Sequence, residues 1–321
     1  MRPKLFLALA TLAGAFSAGP ARAQSGGFSN AGKSGLVILE LPLGIRTSGR
    51  AGARVLETGG ADALFGNAAG LVSADGAPAT QASASTTRWF ADTRVHTAAA
   101  AARAGRVGTF GVSVAYLDYG EMPGAQNAGA GGSTGNYVVT EPFSARSMAV
   151  GLSYARRMTD RFAFGITARY AEETIHTYSA NAVTFDVGMT YATGLGSLRI
   201  GGLVQNFGQE ARYLGNTFKV PTTFRLATAY DLTPAASRYG RLTAIAEAMH
   251  PNNGPEEIHA AFEYAPVAAL ALRGGYGFGQ DEGGATFGGS LDVRGRLAVD
   301  AFYAAYGRLG STLGVGVRAG F

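Results

Sequence analysis

From Phe162 to Tyr170 the chain alternates strictly. Phe162, Phe164, Ile166, Ala168 and Tyr170 fall on one side, and Ala163, Gly165, Thr167 and Arg169 on the other. The next stretch repeats the pattern, with Val183, Phe185, Val187, Met189 and Tyr191 against Thr184, Asp186, Gly188 and Thr190. At the carboxy terminus Leu313, Val315, Val317, Ala319 and Phe321 oppose Gly314, Gly316, Arg318 and Gly320. A period of two is that of a β-strand. Strands with one apolar face and one small or polar face suit a wall between lipid and water. Segments of this kind are predicted at 81–89, 92–102, 107–119, 146–157, 161–172, 182–192, 196–206, 222–231, 241–249, 256–265, 268–278, 285–293, 296–305 and 311–321. The expected fold class is therefore all-β, a transmembrane antiparallel β-barrel of about fourteen strands over 81–321, with an N-terminal plug segment before it.

The connections and aromatic residues support this reading. Bacterial barrels have short periplasmic turns and longer outer loops, so with both termini in the periplasm the even connections are the short ones. Those at 104–106, 159–160, 193–196, 265–267 and 294–295 are short, whereas 120–145 and 207–221, both odd, are long. The eighth connection, 232–240, and the first, 90–91, depart from the rule. Tyr116, Tyr119, Tyr170, Tyr276, Phe278 and Tyr303 end outward-running strands, and Tyr154, Tyr191, Tyr230, Tyr264 and Phe321 end inward-running ones, as two interfacial girdles require. A soluble barrel or sandwich also alternates, but it explains neither the loop asymmetry nor the termini.

Arg2 and Lys4 precede an apolar run from Leu5 to Ala18, and Ala21-Arg22-Ala23 stands before Gln24. Residues 1–23 read as a secretory signal peptide. Its removal takes away three basic residues and lowers the formal charge from +5 to +2, with 24 basic against 22 acidic residues left. The charge therefore gives no reason to expect nucleic acid as a partner. The chain has no Cys, so an exported protein of this sequence is stabilised without disulfides. After residue 23 no apolar run reaches the roughly 18 residues of a spanning helix. Only a closed sheet then satisfies the backbone in lipid, which makes outer-membrane lipid the first expected partner and the bacterial outer membrane the expected location.

Inward positions carry both signs of charge: Arg169, Asp186, Arg199, Arg225, Glu247, Glu263, Arg273, Asp292, Asp300 and Arg318. Opposite charges that pair fill a lumen, whereas rings of one sign select ions. The mixture points to a narrow or plugged interior, although the same residues also suit the wall of a wide, solvated pore.

Residues 24–80 are rich in Gly and Ala and do not alternate; they suit either a periplasmic tail or a plug. Their core is Gly44-Ile45-Arg46-Thr47-Ser48-Gly49-Arg50-Ala51-Gly52-Ala53, followed by Ala61-Asp62-Ala63-Leu64-Phe65-Gly66-Asn67-Ala68-Ala69-Gly70-Leu71. This segment resembles the PorV/PorQ-like outer-membrane proteins, relatives of the FadL-type transporters, which carry G-A-R-A-x-G-M-G-G-A and then A-x-Y-W-N-P-A-G-L. Gly44, Arg46, Gly49, Gly52, Ala53, Asn67, Ala69, Gly70 and Leu71 fall on those positions without a gap. Arg50, Ala51, Gly59, Gly60, Gly66 and Ala68 depart from them. Trp89 to Arg94 and Val114 to Met122 also look like the family.

The resemblance implies a 14-stranded barrel with its amino-terminal segment tucked inside. It further implies a role in type IX secretion, with secreted proteins or secretion-system subunits as partners engaged through loops 120–145 and 207–221. The alternative it carries is FadL-like passive transport of a hydrophobic ligand, with Asn67-Ala68-Ala69-Gly70 in the plug. The terminal Phe321 resembles the signal read by the barrel-assembly machinery.

No enzyme chemistry is expected. Gly27 to Ser34 fits a phosphate-binding loop pattern but lacks the preceding strand. Gly131 to Gly135 fits a nucleophile-elbow pattern but lies in a loop. His96, His176, His250 and His259 lack metal-ligand spacing, so neither metal nor cofactor is implied.

Overall fold

A computed structural model describes residues 35–58, 60–73, 78–127, 137–234, 237–280, 282–293 and 295–321. The expected signal peptide and the motifs at Gly27–Ser34 and Gly131–Gly135 lie outside the described residues.

Fourteen strands close into one antiparallel barrel. In chain order the strands are β1 (Thr80–Arg88), β2 (Arg94–Ala104), β3 (Gly108–Asn127), β4 (Tyr137–Arg157), β5 (Phe162–Ile175), β6 (Tyr178–Ala192), β7 (Arg199–Gly208), β8 (Ala211–Tyr213), β9 (Asn216–Phe218), β10 (Thr223–Asp231), β11 (Arg241–Pro251), β12 (Glu257–Val267), β13 (Leu270–Phe278), β14 (Ala285–Val293), β15 (Leu297–Ala305) and β16 (Ser311–Gly320). Each barrel strand pairs with its sequence neighbours, and β7 pairs directly with β10. The small hairpin β8–β9 stands outside this ladder. Closure comes from β1 against β16, in a register running from Gln81 opposite Gly320 to Arg88 opposite Leu313. Thr80 and Phe321 complete that seam by exchanging two backbone hydrogen bonds of 2.9 Å.

The alternation read from sequence sets the two faces. On β6, Val183, Phe185, Val187 and Met189 are exposed on the outer wall, while Thr184, Asp186 and Thr190 are buried inside. Leu313, Val315 and Val317 extend the outer belt on β16. No helix of the described residues is long and apolar enough to cross a membrane. The closed sheet with its apolar outer belt is the membrane-spanning element, and the chain is a barrel of the bacterial outer membrane.

The amino-terminal segment, residues 35–73, makes only short turns: Val37–Leu39, Ile45–Ser48, Ala61–Phe65 and Gly70–Ser73. Inward-facing glycines show where it lies. A Cβ on Gly201 of β7 would come within 2.7 Å of Val55, and one on Gly275 of β13 within 2.8 Å of Arg50. Gly111 of β3 faces Leu64, Gly165 of β5 faces Ala68 and Ala69, Gly188 of β6 faces Asn67, and Gly316 of β16 faces Ile45. A segment that touches the inner wall on so many sides lies within the lumen. The apolar core forms between the two, with Leu36, Leu64, Phe65 and Leu71 against wall residues such as Ala99, Ala115, Ala155 and Ala163.

Three expectations require correction. Residues 120–145 were expected to form a loop; instead β3 and β4 extend as a ribbon, pairing as far as Asn127 with Tyr137. Past Asp118 and Ala145 neither strand pairs with a further strand, so the ribbon lies beyond the closed ladder. Residues 207–221 were also expected to form a loop, and they contain β8–β9. Tyr119, expected in a girdle, packs against the interior cluster, because the register shifts between Asp118 and Glu121.

Replacing Val187 by Arg places a charge on the outer belt. It is expected to destabilise the barrel by about 2–4 kcal/mol if that position lies at the membrane midplane, measured as a lower denaturant midpoint in lipid vesicles.

Candidate functional site

The glycines of the sequence motif permit close approaches. Gly52 has φ +87°, outside the comfortable range of a residue with a side chain, and it packs beneath the ring of His259. Gly44, with φ +92°, precedes the turn Ile45–Ser48. Gly49 lies on the backbone of Gly288, and Gly70 abuts the Glu57 carbonyl. Asn67 is fully buried and joins three parts of the structure. Its Nδ2 donates to the carbonyls of Val55 (2.9 Å) and Met189 (3.1 Å), and its Oδ1 accepts from the Ala69 amide (3.1 Å). Segment, turn and wall thus meet on one side chain.

The charged residues of the wall pair between neighbouring strands. Arg169 bonds Asp186 at 2.9 Å, Arg225 bonds Glu247 at 2.8 Å, Arg273 bonds Glu263 at 2.7 Å and Arg318 bonds Asp300 at 2.6 Å. Arg199, about one-third exposed, bonds Asp231 at 3.0 Å. Asp292 accepts the Gly295 amide at 2.6 Å in the turn after β14. The segment adds charges that periodicity does not single out, namely Arg50, Arg54, Glu57 and Asp62, all buried. Glu57 pairs with Arg46 at 2.7 Å and also with Arg50. Arg46 reaches Glu263 at 3.7 Å. From there the network continues through Arg273 and Ser290 to Asp300 and Arg318, tying the segment to five strands, β12 to β16.

A cavity of about 420 Å³ lies over the segment, at the end of the barrel away from Phe321. Leu39, Pro42, Gly52 and Arg54 form its segment side, and Trp89, Met249, Tyr306 and Leu309 are among its apolar walls. Trp89, Phe90 and Tyr306 cluster there, with ring centroids 4.9–5.9 Å apart. Polar side chains complete the lining, including Gln205, Asn206, Arg225, Glu257 and His259. Glu257 is 3.0 Å from Nε2 of His259 and also accepts from Gln280. Among the described residues no cluster suited to a metal ion occurs.

No protein-family model and no curated protein matches the chain. Solved structures do. The Pseudomonas putida toluene transporter TodX superposes with TM-score 0.57 at 14% identity, covering 85% of this chain and 96% of that one. The Ralstonia pickettii toluene transporter TbuX gives 0.56 at 14%, covering 84% and 98%. A Pseudomonas aeruginosa FadL homologue gives 0.56 at 11%, covering 86% and 98%. The fold is that of the FadL-type barrels.

Substituting Asn67 by Ala removes its bonds to the Val55 and Met189 carbonyls and to the Ala69 amide, and leaves the Val55 carbonyl without that donor. The expected cost is about 1–3 kcal/mol for each buried group left unsatisfied. Hydrogen exchange in micelles should then quicken across 50–72, while the amides of β14 and β15 keep their protection.

Proposed function

We propose that this chain is a passive outer-membrane transporter of small hydrophobic molecules, with the amino-terminal segment as its plug. The reading rests on one combination: a FadL-type barrel whose lumen holds residues 35–73 beneath a cavity at the outer mouth. A solute from outside enters a half-apolar chamber bounded by Trp89, Met249 and Tyr306, and meets Leu39, Pro42 and Gly52 of the segment as its floor.

Onward passage requires that floor to move. The segment has a basis for movement, because it is built of short turns between glycines and its polar ties to the wall run through side chains, Asn67 and the Glu57–Arg46–Glu263 link among them. Polar ties exchange for water or ligand contacts at small net cost, unlike the ladder hydrogen bonds of a strand in lipid. We assign Gly44, Arg46, Gly49, Gly52, Asn67, Ala69 and Gly70 to the seating of the plug, and the paired wall charges to its socket. The likeness in fold to toluene transporters supports this conduit better than a PorV/PorQ-like part in type IX secretion, which no observation on the described residues favours.

Cells with a lipopolysaccharide outer membrane that express the protein should take up labelled toluene faster than cells without it. Asn67→Ala, by loosening the plug, should raise that rate several-fold. Equal uptake with and without the protein would reject the transport reading.

A further inference from the structure

The chamber contains a cation that no carboxylate of its lining balances. Arg54 is 4% exposed, yet among the described residues its side chain makes a single hydrogen bond, from Nε to the Gly52 carbonyl at 3.4 Å. Among those residues it forms no ion pair. Glu247, which holds the backbone here, is already engaged: it takes Nη1 of Arg225 on Oε1 at 2.8 Å, and the amides of Arg54 and Val55 on Oε2 at 2.8 and 2.9 Å. Of the two guanidinium groups that line the cavity, only that of Arg225 bonds a carboxylate. The three carboxylates that line the chamber are also engaged, Glu40 by Asn253, Glu257 by His259 and Gln280, and Glu282 by Arg308.

Burial lowers Arg54 to about 9, so it remains protonated at neutral pH. A buried cation without a partner is costly, and an anion in the space beside it removes that cost. Room for the Arg54 side chain is itself built in. A Cβ on Gly66 would lie 3.0 Å from that of Arg54, so a large residue at 66 would displace it. Opposite stands the aromatic wall, with Tyr306 close enough to Arg54 to feel its charge.

We infer that the chamber binds small aromatic carboxylates, with Arg54 taking the carboxylate and Trp89 and Tyr306 flanking the ring. A planar fork of donors suits a carboxylate, and the cavity is of the size that encloses a small ligand. The inference rests on the transport reading for its purpose but uses its own residues. It makes the chamber selective for charge as well as for apolar bulk.

Trp89 is the only tryptophan of the chain and lines the chamber, so it reports occupancy directly. The protein in lipid nanodiscs is titrated with benzoate and, separately, with its neutral counterpart benzamide, with Trp89 fluorescence excited at its red edge. Benzoate should change the emission saturably and bind roughly 10- to 100-fold more tightly than benzamide, the range expected for a charge-assisted hydrogen bond. Arg54→Met should abolish that preference, and Arg54→Lys should retain most of it; resistance of each barrel to unfolding in detergent shows that it is folded. Equal binding of benzoate and benzamide, or an undiminished preference in folded Arg54→Met, overturns the inference. Toluene uptake by cells without benzoate binding overturns the inference and leaves the transport reading standing. Benzoate binding with no toluene uptake supports the site and overturns the transport reading.

Discussion

In hydrocarbon a backbone amide or carbonyl without a partner has no water to turn to, and the whole molecule follows from that constraint. Fourteen strands satisfy one another only when the last meets the first, so the pairing of β1 with β16, extended by Thr80 and Phe321, turns a sheet into a membrane protein. Closure creates an inside, and the inside must be either wet or filled. Here the inner face of the wall is made of glycine, alanine, serine and threonine, with charged residues at intervals. Small wall residues allow a second length of backbone to lie against the strands. Residues 35–73 use that room, and Leu36, Leu64, Phe65 and Leu71 convert it into an apolar core.

The charges inside belong to the same solution. A lumen filled by protein has little water, so each buried ion needs a near counter-ion. Arg169 with Asp186, Arg225 with Glu247 and Arg273 with Glu263 pair along the wall between adjacent strands and not across the bore. The segment then joins this scheme through Arg46 and Glu57. Arg54 has no such counter-ion among the described residues, and it lines the chamber over the segment.

This arrangement divides the chain into a permanent part and an exchangeable part. The ladder is held by hydrogen bonds that lipid cannot replace. The segment is held by side-chain contacts around glycine turns, which solvent or a solute can replace. Such a division fits the proposed conduit, with the segment as its stop and the chamber above it.

The strands were legible because lipid on one side and packed protein on the other impose a period of two on the sequence. All fourteen barrel strands fall where that period places them, most within a few residues. Strand ends were less legible. Beyond the membrane nothing enforces alternation, so the ribbon 119–127 with 137–145 and the hairpin β8–β9 read as loops. At the site, the motif residues stand out as glycines and an asparagine in a non-alternating stretch, but the reason for each is a contact with a strand far along the chain: Gly49 with Gly288, Asn67 with Met189. Arg54 gave no signal at all, since an arginine among alanines looks solvated until the fold removes the water and assigns Glu247 to other donors. Sequence alone thus determined the membrane, the strand count and the faces, because these depend on local periodicity. Only the tertiary structure decided where the segment sits, which charges pair and that Arg54 does not, because those depend on distances between residues that the chain order keeps far apart.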